Sequence, residues 1–240
     1  MGHYFSYGSQ PFPFDMFSMS HLVVLLLFLT LLVGLYLGRP RMNQKGKTFI
    51  RYTLIVILIG CESSFHLWFI LHDQWTVRGN LPLQLCSISI YLCTFMLLTR
   101  NHSLSEVTFF FGIGGAIQAM ITPELFYGFP HYRFFHFFIA HMAILYACFY
   151  MIWYERLHIK FQSVIKAWMT LNVIAVFVFF VNHLTGSNYM FLARKPTNPT
   201  IIDWLGPYPW YILSLEVLAF LIFTIVYFIF GKNRLKLKRK

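Results

Sequence analysis

With 58% hydrophobic residues, 11% charged residues and a mean hydropathy of +0.62 over 240 residues, the chain is too apolar for a soluble domain. Its formal net charge of +11 does not point to nucleic acid, because the basic residues flank apolar stretches and form no folded basic face. The four cysteines show no CxxC or Cys/His finger spacing, which argues against structural zinc.

The apolar pattern predicts an all-α polytopic membrane bundle of seven transmembrane helices, forming a single domain over residues 1–240. The spans fall at about 21–38, 51–72, 82–98, 106–122, 134–153, 164–183 and 208–230, each close to the length that crosses roughly 30 Å of hydrocarbon. Residues 1–20 lack the basic start of a signal peptide, so the first apolar run is read as a retained span. Charge sets the orientation. Of the 19 Lys and Arg residues, all but Arg78, Arg133, Arg194 and Lys195 fall on one side when the N-terminus lies outside. The positive-inside rule then places the C-terminus, with its basic tail at 232–240, in the cytoplasm of a cell-membrane protein.

Helix two carries Glu62 and His66, four apart and therefore on one face. A carboxylate can orient an imidazole and stabilise its protonated form, so Glu62 and His66 are expected to support the base of a catalytic site, although a structural hydrogen bond fits the same pair. A carboxylate within a span has to pair, neutralise or face water. Helix three opens Leu81-Pro82-Leu83-Gln84-Leu85-Cys86-Ser87, with Pro82 expected in its first turn. Cys86 then sits near the positive end of the helix, where thiolate is favoured, although a buried, inert thiol fits the same residues. Helix four is diluted by Gly112, Gly114 and Gly115, and with Ala116 and Ala119 these read as close-packing positions.

Helix five bears His136 and His141, about 140° apart, so only one of them is expected to face the bundle centre at the depth of Cys86. Helix six ends in Asn182 and His183. The long loop at about 184–207 follows, rich in Gly and Pro, and carries Ser187, Asn188 and Tyr189. Gln84 and Asn182 are expected to donate to an oxyanion, with Ser187 and Asn188 near the substrate. Drawn this way, Glu62, His66, Gln84, Cys86, His141 and Asn182 share one depth in the outer third of the bilayer. Polar groups gathered at one depth from several helices read as a site.

The residues alone leave three chemistries open. The polar groups suit nucleophilic lipid chemistry, a small-molecule or proton-coupled transport path, or a metal-dependent membrane hydrolase using His66, His136, His141 and Glu62. The histidine and carboxylate spacings match no metal motif, so no metal and no cofactor are assigned.

Residues of about 15–225 resemble the YwaF-type multi-pass bacterial integral membrane protein family. The resemblance rests on Phe49-Ile50-Arg51-Tyr52-Thr53-Leu54, Glu62 with His66-Leu67-Trp68, Leu81 to Ser87, and Phe111-Gly112-Ile113-Gly114-Gly115-Ala116. It continues through Tyr127-Gly128-Phe129-Pro130-His131, Arg133-Phe134-Phe135, His141, Gly186 to Phe191 and Leu205 to Glu216. That family is distantly similar to a eukaryotic membrane phospholipid acyltransferase family and to androgen-induced lipid hydrolases. The resemblance implies a Cys nucleophile at Cys86, a general base at His141 and a lipid or acyl-chain substrate. One position departs from the motif: residue 84, usually His there, is Gln84 here.

Overall fold

The computed structural model describes residues 3–8, 12–196 and 201–231; the basic tail at 232–240 lies outside them. Eight α-helices follow in order: α1 Met19–Gly38, α2 Gln44–Leu71, the one-turn α3 Val77–Asn80, α4 Leu85–Thr99, α5 His102–Ile121, α6 Tyr132–Trp153, α7 Phe161–Thr185 and α8 Trp210–Phe230. Their starts follow local chemistry. Asn43 caps α2 by accepting from the Gly46 N–H (2.8 Å), and Asn101 caps α5 by accepting from the Leu104 N–H (3.1 Å). The α7 helix stops at Gly186, whose φ of 70° suits glycine.

Six of these helices are long and apolar enough to cross a membrane, namely α1, α2, α5, α6, α7 and α8. The expected third span at 82–98 is different. The α4 helix has 15 residues, roughly 22 Å, which is short of a full crossing. The cause lies in its approach. Leu81 precedes Pro82 and is held extended (ψ 145°), and Gln84 is extended as well. Pro82 therefore lies in an extended lead-in rather than in the first helical turn. The thiol of Cys86 sits level with His141, which is about two and a half turns inside the start of α6 at Tyr132, roughly 13 Å. The helix thus begins within the bundle.

The most deeply buried helix is α6, enclosed by α2, α4 and α5, while α1 and α8 present mostly apolar side chains outward. Two tyrosines of α6 and Tyr154, just past its end, tie it to its neighbours by donating to backbone carbonyls. Tyr146 bonds Phe28 (3.0 Å), Tyr154 bonds Leu35 (2.8 Å) and Tyr150 bonds Lys47 (3.2 Å). Close approach of α5 to α6 depends on Gly112, where an added Cβ would stand 2.5 Å from Cys148 Sγ and 3.1 Å from Ile144 Cγ2. This is one of the packing glycines anticipated above.

Gly112→Ala is expected to destabilise the protein. Overpacking costs about 1–3 kcal/mol, and helix propensity returns at most about 1 kcal/mol. Adding Cys148→Ala should recover most of the loss in thermal unfolding in detergent, and a double variant no more stable than Gly112→Ala would contradict this contact.

A recessed cysteine and histidine between α4 and α6

Cys86 is the second residue of α4, and His141 lies in the middle of α6. The His141 Nε2 stands 3.1 Å from Cys86 Sγ. Its Nδ1 lies 2.7 Å from the Phe137 carbonyl one turn back on the same helix. A carbonyl only accepts, so Nδ1 carries the proton and Nε2 of the neutral ring presents a lone pair. The thiol is then the donor across the 3.1 Å contact. The Phe137 ring packs against the imidazole at 4.2 Å between centroids and restrains its tilt.

Beside the thiol lies the start of a helix. The first bond of α4 runs from the Ile88 N–H to the Gln84 carbonyl (3.0 Å), so the amides of Leu85, Cys86 and Ser87 precede the helical ladder. They form the positive end of α4 next to Sγ.

Glu62 and His66 form a neighbouring arrangement on α2. Trp75 donates its indole N–H to His66 Nδ1 (3.1 Å), which leaves Nε2–H to face Glu62 Oε1 at 3.4 Å. Glu62 is 5% exposed, and its carboxylate also faces the Ser87 side chain. Its Oε1 lies within ion-pair reach of His66 yet has no hydrogen bond of good geometry. The expected role of this pair as the orienting acid for the base is not what the geometry provides. The atom that orients His141 is the Phe137 carbonyl.

Of the residues expected to serve an oxyanion or substrate, Asn182, Gln84 and Asn188 bond backbone groups and Ser187 bonds a side chain. Asn182 donates to the Tyr189 carbonyl (2.9 Å) and accepts from the Tyr189 N–H (2.8 Å). Gln84 accepts from the Met190 N–H (2.9 Å). Ser187 pairs with the Thr185 hydroxyl (2.5 Å). Asn188 accepts from the Ala193 and Arg194 N–H groups (3.1 and 2.9 Å). The reason is general, since a buried loop must find partners for its amides. Tyr189 completes the arrangement by donating to the Val77 carbonyl (2.6 Å) and accepting from the Leu81 N–H (2.8 Å). The loop after α7 therefore clamps the lead-in to α4.

His136 joins α2 to α6 and stays apart from the thiol. Its Nε2 donates to the Cys61 carbonyl and its Nδ1 accepts from Arg133, each at 3.0 Å. Among the described residues no group of three or more His, Cys, Asp or Glu side chains is placed to hold a metal. Glu216 is met by the Asn172 amide (2.8 Å) between α7 and α8. Sequence reasoning anticipated the positive helix end beside Cys86 but missed the Phe137 carbonyl, because a backbone group has no residue signature.

A family model described as the TMEM164 family matches residues 16–227, a stretch that includes Cys86, His141, Glu62 and His66. The chain belongs to the TMEM164 family. No curated protein and no solved structure matches it.

In this TMEM164-family chain a covering layer lies over the end of the bundle that holds the site. The N-terminal segment pairs with the loop before α6 through Phe14 N–H to the Phe126 carbonyl (3.2 Å) and Gly128 N–H to the Phe12 carbonyl (2.6 Å). Gly128 permits this approach, because a Cβ there would stand 2.6 Å from the Pro13 carbonyl oxygen. Trp68 donates to the Phe5 carbonyl (3.0 Å) from below. His131 caps α6 by accepting from the Arg133 N–H (3.1 Å) and donates to the Ser6 carbonyl (3.1 Å). Burial holds its pKa below the ordinary imidazole value. Glu124 in the same loop is shifted the other way, with burial pushing its pKa up to about 7.

The two shifts have opposite consequences. The Glu124 contribution is fully present below the ordinary carboxylate pKa and is lost as pH rises through about 7. The His131 contribution is present above the ordinary imidazole pKa and is lost as pH falls below it. Glu124→Gln is therefore expected to raise the midpoint of thermal unfolding at pH 8 and to leave it nearly unchanged at pH 4.5. An equal change at both pH values would contradict the burial of this carboxyl.

Proposed function

We propose that the chain is a membrane-embedded acyltransferase or lipid ester hydrolase in which Cys86 carries the acyl group and His141 moves the proton. The observation that carries this reading is the 3.1 Å contact from Cys86 Sγ to His141 Nε2, with Nδ1 already committed to Phe137. A thiol whose proton faces a lone pair of the correct tautomer is arranged for nucleophilic attack.

Sγ attacks the carbonyl carbon of a lipid ester while Nε2 takes the thiol proton. The new C–S bond places negative charge on the carbonyl oxygen, and the amides at the start of α4 are the donors closest in chain to Sγ. Collapse breaks the ester C–O bond, and the proton on Nε2 passes to the departing alcohol oxygen. A thioester on Cys86 results. In the second half, a lipid alcohol or water gives its proton to Nε2 and attacks the thioester carbonyl, and the thiol leaves with that proton. Transfer and hydrolysis differ only in which oxygen attacks. Glu62 and His66 form a polar wall beside the thiol rather than the third member of a relay. With the N-terminus outside, as the basic residues argue, the site faces lipid of the outer leaflet.

Labelling in detergent with a long-chain acyl thioester tests this reading. The acyl mass should appear on Cys86, vanish in Cys86→Ala and fall by about 10²-fold or more in His141→Ala. A label absent from wild type, or indifferent to both substitutions, would sink the proposal.

A further inference from the structure

Beside the thiol, α2 and α4 enclose a groove of about 350 Å³. Glu62 and Ile59 stand on its α2 side, and Ile90, Thr94, Phe95 and Leu98 on its α4 side. Its floor is sealed, with Ile90 4% and Thr94 8% exposed. Its rim is open, since Ile59, Phe95 and Leu98 are exposed on the flank of the bundle, where hydrocarbon surrounds a membrane helix. Glu62, Ser63 and His66 make one end of the lining polar, and the remainder, which also includes Tyr91, is apolar apart from the Tyr91 and Thr94 hydroxyls. The Thr94 hydroxyl donates to the Ile90 carbonyl (2.8 Å) within α4.

The register of α4 connects this groove to the thiol. Cys86, Ile90, Thr94 and Leu98 recur at four-residue intervals, so they stack along one side of the helix. Cys86 is one turn from the first groove residue. Glu62 stands at the same end, close enough to act electrostatically on Cys86 and to face Ser87. A chain attached at Sγ has an apolar track beginning one turn away at Ile90 and running roughly 12 Å to Leu98.

We infer that this α2–α4 groove holds the acyl chain of the Cys86 thioester, and that the depth of the groove selects chain length. The inference rests on the proposed chemistry at Cys86 and adds the location of the chain and the residues that select it. Thr94 is the specificity-determining position at mid-groove, because its small side chain leaves space where a larger one would block the track. A chain long enough to pass Thr94 gains contacts with Phe95 and Leu98 that a short chain cannot reach.

The experiment labels the full-length protein in detergent with acyl thioesters of graded length and reads adduct mass on Cys86. Wild type is compared with Thr94→Trp, with the rim variant Ile59→Trp, and with Val173→Trp on the outward face of α7 as control. Val173 is 71% exposed. Thr94→Trp and Ile59→Trp should retain short-chain labelling and lose long-chain labelling by at least about tenfold relative to it. Val173→Trp should keep the wild-type ratio. An unchanged ratio in both groove variants, with folded protein, overturns the groove assignment. If wild type takes no label, the Cys86 chemistry fails first, and the groove is decided separately. A fatty acid with a photoreactive tail is then crosslinked to Cys86→Ala protein. Adducts mapping to Ile59, Tyr91 or Phe95 support an acyl-chain site there, and adducts mapping only to other helices overturn it.

Discussion

A helix that begins inside a membrane bundle leaves its first amides away from bulk water, and α4 is such a helix. A second loop is bonded to the segment that leads into this helix start. Tyr189, held by both ends of the Asn182 amide, bonds the backbone of Val77 and Leu81, and Gln84 takes the Met190 N–H. Those bonds hold the lead-in segment extended and fix where Leu85 starts the helix. The position of Cys86 follows from them, and so does its neighbourhood with His141. Asn182 and Gln84, which share a depth with Cys86, hold the loop that braces this lead-in.

The second determinant is how tightly α6 is enclosed. Gly112 lets α5 approach it, and the hydroxyls of Tyr146, Tyr150 and Tyr154 bond carbonyls on α1 and α2. Hydrophobic burial gives little preference between helices and lipid, so close packing and hydrogen bonds carry helix association here. A rigid α6 keeps the His141 ring in one place. The bond from Nδ1 to the Phe137 carbonyl then settles the tautomer without a carboxylate. This economy separates the arrangement from a three-residue relay, and it leaves Glu62 free to border the groove beside α4.

Much of the architecture was legible before any coordinates. Long apolar runs place α1, α5, α6, α7 and α8 within a few residues and find α2 apart from its first two turns, because length and hydropathy are direct requirements of a bilayer. Span three was legible as an apolar segment but not as a short helix. Pro82 was expected in a first helical turn, and the contacts of Leu81 and Gln84 instead hold it in an extended approach. Among candidate site residues, the pairing of Glu62 with His66 was readable from their spacing on one helix. The separate fates of His136 and His141 were half readable, since 140° between them allows only one to face α4.

What the sequence determined by itself is therefore the class of protein, its apolar segments and the short list of polar residues that a membrane interior must accommodate. Those properties are local, set by composition and by the period of the helix. What the tertiary structure alone decided is which of those residues meet. The rotation of α4 against α6 brings Cys86 to His141, and the fold of the loop after α7 turns Asn182 and Asn188 toward backbone and pairs Ser187 with Thr185. Helix rotation and loop path depend on contacts between distant parts of the chain, and no spacing within one segment encodes them.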